Sequence, residues 1–252
     1  MELSISEFGS PASPPLLLIN SIGATKEVLW SRQIPALERH FRVITYDARG
    51  HGRSAIPPGE YTIDDLGRDA VSVLDTAGVA EAHVCGISMG GITAMWLGVH
   101  AAGRVRRLAV ANTAARIGSL QSWGDRIALV RQEGLAAVAE QAMPKWFTAP
   151  FRQREPAIVQ QFQSMVESIS PEGYLGCCAA LRDADLRASI ALIRRPTLAI
   201  AGTQDVLTPP DALAFVHQQI PGSTLLTLDC AHISNAEKAD EFNEALVTFL
   251  TG

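Results

Sequence analysis

The sequence predicts an α/β protein: a parallel sheet with helices on both faces and a helical segment inserted late in the chain. Three observations carry this. As far as about residue 112, short apolar runs bounded by Gly, Pro, Asn or Asp alternate with amphipathic stretches. From about Ala115 to Arg187 the β-branched runs vanish, and Ala, Gln, Arg and Met dominate. Beyond that stretch the alternation returns. The division expected is a core of residues 1–114 and 188–252 with a helical cap of residues 115–187 between its halves. With 47% hydrophobic and 19% charged residues in 252, the chain has material for a sizeable core and no bias toward disorder.

Element by element, Leu16 to Ile19, Val43 to Tyr46, His83 to Cys85 and Leu108 to Ala111 read as buried parallel strands. Thr62, with Asp65 three residues on, is an acidic capping box. It opens a helix whose Leu66, Ala70, Val73, Leu74 and Ala77 share one face and which Gly78 stops. A further helix spans Gly91 to Val99. In the insertion, Gly134, Pro144, Pro150, Pro156 and Pro171 break the pattern into several short helices. Then come the strand Thr197 to Ala201, a helix opened by Pro209-Pro210-Asp211 with Asp211 as its N-cap, and the strand Thr224 to Leu228. A last helix starts at Ser234, with Ser234 and Glu237 as a second capping-box pair.

Several function classes drop out. Net charge is −5 and no long basic run occurs, which argues against nucleic acid as a partner. Apolar runs such as Leu16 to Ile19 are far too short to span a bilayer. Met1-Glu2-Leu3-Ser4 does not open a basic segment followed by an apolar one, so a cytoplasmic location is expected. Cys85, Cys177, Cys178 and Cys230 form no C-x-x-C pair and read as free thiols rather than metal ligands.

The sharpest motif is Gly86-Ile87-Ser88-Met89-Gly90, a Gly-x-Ser-x-Gly string with a strand reading before it and a helix after it. That strand–turn–helix setting exposes a nucleophilic serine, and the flanking small residues let the turn close. A serine hydroxyl needs a base to take its proton and an acid to orient that base, and with a Gly-x-Ser-x-Gly turn set between strand and helix these follow in the chain order Ser, acid, His. His232 is the one histidine that follows an apolar run and precedes a capped helix. Asp205 lies just past the strand Thr197 to Ala201, whereas Asp229, three residues before His232, shapes its turn. The position after the strand Leu108 to Ala111 is Asn112 and not a carboxylate, so it cannot supply the acid. Two backbone N–H groups must meet the developing oxyanion. Met89 supplies one, and Ile22, in the loop Asn20-Ser21-Ile22-Gly23, the other.

With these residues in order, nearly the whole chain resembles the α/β-hydrolase superfamily, which implies a mostly parallel eight-stranded sheet. Tyr46-Asp47-Ala48-Arg49-Gly50-His51-Gly52-Arg53-Ser54 is similar to a loop of that superfamily in which Asp47, Arg49 and His51 are structural. Closer strings resemble one family, the 3-oxoadipate enol-lactone hydrolases of bacterial aromatic catabolism. They are the loop Asn20 to Gly23 in place of the usual His-Gly, Asn112 to Gly118, Lys145-Trp146-Phe147-Thr148, Gly173 to Asp183, and Ala201 to Asp205.

The resemblance implies hydrolysis of a small anionic lactone to 3-oxoadipate through an acyl-enzyme, with neither metal nor organic cofactor. The same triad also serves other small-molecule esterases and cofactor-free peroxidase-like enzymes, and a non-catalytic ligand-binding relative would show it broken. A substrate carboxylate buried under a cap needs a cation. Arg116 and Lys145, the latter beside Trp146, are the residues expected to provide it.

Overall fold

The computed structural model describes all 252 residues, Met1–Gly252. Seven strands form one sheet: β1 (Ile5–Phe8), β2 (Pro15–Ile19), β3 (Arg42–Tyr46), β4 (Ala82–Ile87), β5 (Val105–Ala111), β6 (Thr197–Gly202) and β7 (Thr224–Leu228). Their order is β1-β3-β2-β4-β5-β6-β7, and only the edge strand β1 runs antiparallel, against β3. The sheet therefore has seven strands and not the expected eight. The residues ahead of β1 spend their backbone groups on the loop after β3: Asp47 N–H donates to the Ser4 carbonyl and Ala55 N–H to that of Glu2. Strand β1 itself is only partly buried and lacks the apolar run that marks the central strands.

In the centre, Leu16, Leu17, Leu18, Val84 and Cys85 are wholly buried, because helices cover both faces. Helix α1 (Lys26–Leu29) and α2 (Ile34–Leu37) lead from β2 to β3, and α3 (Ile63–Thr76) leads on toward β4. The Thr62 cap of α3 forms as expected, with reciprocal Thr62–Asp65 hydrogen bonds. Helix α4 (Met89–His100) follows β4 and is buried on nearly every side. From β2 the chain builds outward through β3 to one side, then returns to place β4 on the other. That reversal leaves a crevice at the carboxyl ends of β2 and β4, where open α/β sheets bind ligands.

The segment after β5 is all helix: α5 (Leu120–Trp146), α6 (Ala149–Arg154), α7 (Pro156–Glu167) and α8 (Pro171–Asp183). The prolines do less breaking than the sequence suggests. Pro156 and Pro171 open helices at the first position, where a missing N–H costs nothing, and Pro144 is carried within the end of α5. Gly134, at φ 75°, kinks α5.

Two caps differ from expectation. Helix α9 (Pro210–Gln219) is capped by Pro209, and Asp211 sits in its first turn. The Ser234–Glu237 box does not form. Helix α10 (Ser234–Glu237) is a single turn, after which α11 (Ala239–Thr251) starts anew. Both side chains have stronger claims on them. Ser234 Oγ donates to Asn112 Oδ1, and Glu237 binds Thr148 and the Ala231 N–H.

Candidate active site

Ser88 occupies the turn between β4 and α4 at φ 56° and ψ −117°, a left-handed conformation that a side chain adopts only when its surroundings enforce it. Here they do. Ser88 N–H donates to the Ala111 carbonyl at 2.9 Å, and Thr113 Oγ1 donates to the Ser88 carbonyl at 2.7 Å. A Cβ on Gly86 would fall 2.0 Å from the Gly90 carbonyl oxygen, and one on Gly90 would fall 2.0 Å from that of Ile19. The glycines of the motif are thus what lets β4, α4 and the end of β2 converge.

Strands β6 and β7 bring the partners. His232 Nε2 lies 3.0 Å from Ser88 Oγ, and His232 Nδ1 lies 2.8 Å from Asp205 Oδ2. A carboxylate only accepts, so the ring proton belongs on Nδ1 and Nε2 offers its lone pair to the serine hydroxyl. Ser88, Asp205 and His232 are all buried. Asp205 Oδ1 accepts from the Leu207 and Thr208 amides at 2.9 and 3.0 Å. Its Oδ2 accepts from Thr208 Oγ1 at 2.7 Å and from Asn112 Nδ2 at 3.1 Å. Burial alone would raise the Asp205 pKa, but His232 and the Thr208 hydrogen bonds outweigh it and hold the carboxyl at about 2. Asn112 thus contributes at the end of β5 as a donor to the acid. Asp229 stands apart, exposed, accepting from Thr203 and Gln204 and tying the β6 and β7 loops together.

Met89 is the first residue of α4, so its N–H has no intrahelical acceptor and points from the positive end of the helix dipole. Ile22 N–H donates to no turn, loop or side-chain acceptor. Asn20 anchors the Ile22 loop from below: its Nδ2 donates to the Tyr46 carbonyl at 3.0 Å, and its Oδ1 accepts from Trp30 Nε1 at 2.8 Å.

Ser88 and His232 open into a cavity of about 580 Å³, which the cap roofs with Trp123, Arg126, Lys145, Trp146 and Tyr174. Lys145 and Trp146 therefore face the cavity as expected. Arg116 does not line it: the next two residues, Ile117 and Gly118, do, but the Arg116 guanidinium pairs with Asp185 at 3.4 Å instead. In its place stands Arg126, half-buried and without a carboxylate partner; Asp125 beside it is exposed and accepts from Gln121. Arg126 faces Tyr174, whose phenol burial drives upward against the guanidinium's opposing pull. The sequence holds a signal for Arg126. Ser122, Arg126 and Leu129 recur at four and three residues, one face of α5, and all three line the cavity.

A serine, an imidazole and a carboxylate in hydrogen-bonded series, with two free amides beside the serine, form a constellation suited to acyl transfer. Comparison with known proteins agrees. Residues 14–239 match the model of the alpha/beta hydrolase fold family. The chain is 42% identical over 244 residues to 3-oxoadipate enol-lactonase 2 of Acinetobacter baylyi, covering 97% of this chain and 91% of that protein. To 3-oxoadipate enol-lactonase 1 of the same organism it is 36% identical, with 98% and 92% covered. The crystal structure of the enol-lactonase from Burkholderia xenovorans LB400 superposes with a TM-score of 0.97 at 40% identity, over 99% of this chain and 96% of that one. The chain belongs to the α/β-hydrolase family and, within it, to the 3-oxoadipate enol-lactonases.

Proposed function

We propose that the protein hydrolyses 3-oxoadipate enol-lactone to 3-oxoadipate, with Ser88 as nucleophile, His232 as general base and acid, and Asp205 orienting the imidazole. The observation that carries this reading is the cavity itself, where Ser88 and His232 lie under a cap whose Arg126 has no carboxylate partner. Ser88 Oγ attacks the lactone carbonyl as His232 Nε2 takes its proton. The carbonyl oxygen becomes an oxyanion held by the Met89 and Ile22 N–H groups. Collapse breaks the ring C–O bond, and His232 returns the proton to the leaving enolate, which tautomerises to a ketone and makes the opening hard to reverse. Water, activated by the same imidazole, then releases the acyl group from Ser88. Arg126 meets the substrate's acetate carboxylate and Lys145 stands at the rim, while Trp146 covers the ring. No cofactor enters any of these steps.

The cap, residues 115–187, serves as the selective part on a chemical core of residues 1–114 and 188–252. No helix is long and apolar enough to cross a membrane. That fits a cytoplasmic enzyme acting on a water-soluble metabolite. The deciding experiment is a steady-state assay on the enol-lactone beside muconolactone and neutral aryl esters, with fluorophosphonate labelling of Ser88. Preference for the enol-lactone by kcat/KM supports the reading. Labelling with preference for a neutral ester would move the protein to the general esterases, and failure to label would remove it from serine hydrolases.

A further inference from the structure

His51 lies in the loop after β3, is almost completely buried, and has no place in the steps above. Its Nε2 accepts a hydrogen bond from Gly23 N–H at 2.9 Å, and its Nδ1 lies 3.1 Å from the Arg49 carbonyl oxygen. A carbonyl only accepts, so the ring proton belongs on Nδ1 and the Nε2 lone pair belongs to Gly23. Gly23 directly follows Ile22. The loop Asn20 to Gly23 is therefore hung between two buried side chains, Asn20 at one end, bonded to the Tyr46 carbonyl and to Trp30, and His51 at the other, with the Ile22 amide left free between them.

The groups around His51 suit a neutral ring. The Asp47 carboxylate is committed to the Lys26 amide and ammonium and to the Arg53 amide, at 2.9, 3.0 and 3.1 Å. The Arg49 guanidinium is turned to Asp69, at 2.6 and 2.8 Å. From α8 come only the Cys177 thiol, 4.0 Å from Nδ1, and the Tyr174 ring, 6.4 Å away between centroids. Burial lowers the His51 pKa, and the Arg49 carbonyl and Asp47 offset this only in part.

We propose that His51 is a positioning residue of the oxyanion hole: by holding the Gly23 amide it keeps the preceding Ile22 N–H aimed at the oxygen that becomes negative. The proposal rests on the reading of Ile22 as an oxyanion donor. A donor stabilises the transition state only if it is already in place when charge develops, because reorienting it costs what the contact would return. A loosened Ile22 amide therefore costs turnover and leaves ground-state binding alone.

Two isosteric changes separate the ring's two contacts. His51→Asn keeps a donor near the Nδ1 position for Arg49 and loses the acceptor for Gly23. His51→Gln reaches the Nε2 position and restores that acceptor while giving up the Arg49 contact. Measured on a neutral aryl ester as well as the lactone, His51→Asn should lower kcat by about tenfold to a hundredfold with KM nearly unchanged. The rate of Ser88 phosphonylation by a fluorophosphonate should fall by a similar factor, since that adduct also develops an oxyanion. His51→Gln should recover most of both rates. Equal kcat in the two variants, or a loss confined to KM, overturns the proposal. The imidazole ¹⁵N shifts of the wild-type protein test it without any variant, since a proton on Nε2 contradicts it. If Ser88→Ala is inert while both His51 variants turn over normally, the active-site reading stands and this inference falls. If Ser88→Ala stays active, the active-site reading is the one that fails.

Discussion

At Gly90, where α4 leaves the nucleophile turn, a Cβ would lie 2.0 Å from the Ile19 carbonyl oxygen; at Gly134, inside the cap's longest helix, it would meet nothing within 4 Å. The two positions stand for two regions. In the core, the side chains proposed to carry the chemistry are held by hydrogen bonds: the Ser88 backbone by Ala111 and Thr113, and the Asp205 carboxylate by two amides, a hydroxyl and Asn112. In the cap, the cavity-facing side chains project from helix faces, and Lys145 is exposed where it lines the entrance. Such an arrangement holds the reaction fixed and lets substrate choice vary by single side chains. Substitutions in the core should therefore strike all substrates alike and hard, and those in the cap should discriminate among them.

The largest effects belong to the core. Ser88→Ala and His232→Ala should each lower kcat by at least about ten-thousandfold on every ester, and the double variant should be scarcely worse, because the residues act as a unit. Losses that multiply in the double variant would break the comparison at its strongest point. Asp205→Asn should follow, with kcat down by roughly a thousandfold to ten-thousandfold and KM little changed, since the imidazole loses its orientation. If kcat survives, the acid is another carboxylate, with Asp229 next in line.

Asp205 also gives the core a pH signature. Its carboxyl sits at about 2 in the folded protein, below its ordinary value of 3.8. The folded state therefore holds the proton less well than the unfolded one. The stabilisation is complete above about pH 4 and is lost as pH falls toward 2, a change of about 2 kcal/mol. Urea titrations between pH 5 and 2 should show a loss smaller by about 2 kcal/mol in Asp205→Asn than in the wild type, the remainder coming from other carboxyls held low, Asp185 at about 2 among them.

The cap should behave otherwise. Arg126→Met should lower kcat/KM for the anionic lactone by about tenfold or more, roughly 1.4 kcal/mol, and leave a neutral aryl ester nearly untouched. An equal fall for both substrates would mean that Arg126 shapes the cavity and does not select charge.

The same division explains how much of the molecule was legible in its sequence. The central strands were, because burial on both faces writes itself as an unbroken apolar run, as in Leu16 to Ile19. The residues proposed for the site were, because the turn at Ser88 needs Gly86 and Gly90 beside it and because Asp205 and His232 each follow an apolar strand run, which brings them within hydrogen-bond reach of one another and of Ser88. Edge strand β1 was not, since its partly buried Ile5–Phe8 carries no such run. Nor was Arg126 in place of Arg116. Which cation enters the cavity depends on the helical phase of α5 and on the turn before it, and a motif string records neither. Ser234 and Glu237 misled for a related reason: their spacing fits a cap, but Asn112 and Thr148, far away in sequence, bind them instead.

The smallest effects test whether position within the cap, and not charge alone, sets the response. Arg116 and Lys145 each carry one positive charge, yet their surroundings differ. The Arg116 guanidinium is about one-third exposed, lies off the cavity, and spends its charge on Asp185. Asp185 is held chiefly by Arg187, through its amide at 3.1 Å and its guanidinium at 2.9 and 2.6 Å, so it stays satisfied without Arg116. Arg116→Met should therefore change stability by less than about 1 kcal/mol, as for other exposed pairs. It should also leave kcat/KM for the lactone within about twofold of wild type, since its charge is spent on Asp185 and its side chain does not line the cavity. Lys145 has no such partner and borders the entrance, but solvent surrounds its ammonium and screens it. Lys145→Met should lower kcat/KM for the lactone by only about threefold at low salt, with the difference fading as added salt shortens the screening length toward 3 Å at about 1 M. The Arg126 effect, being set within the roofed cavity, should persist at that ionic strength. A Lys145 effect as large and as salt-resistant as that of Arg126 would place the substrate carboxylate at the rim, and the graded series of three cations would collapse into two sites of equal weight.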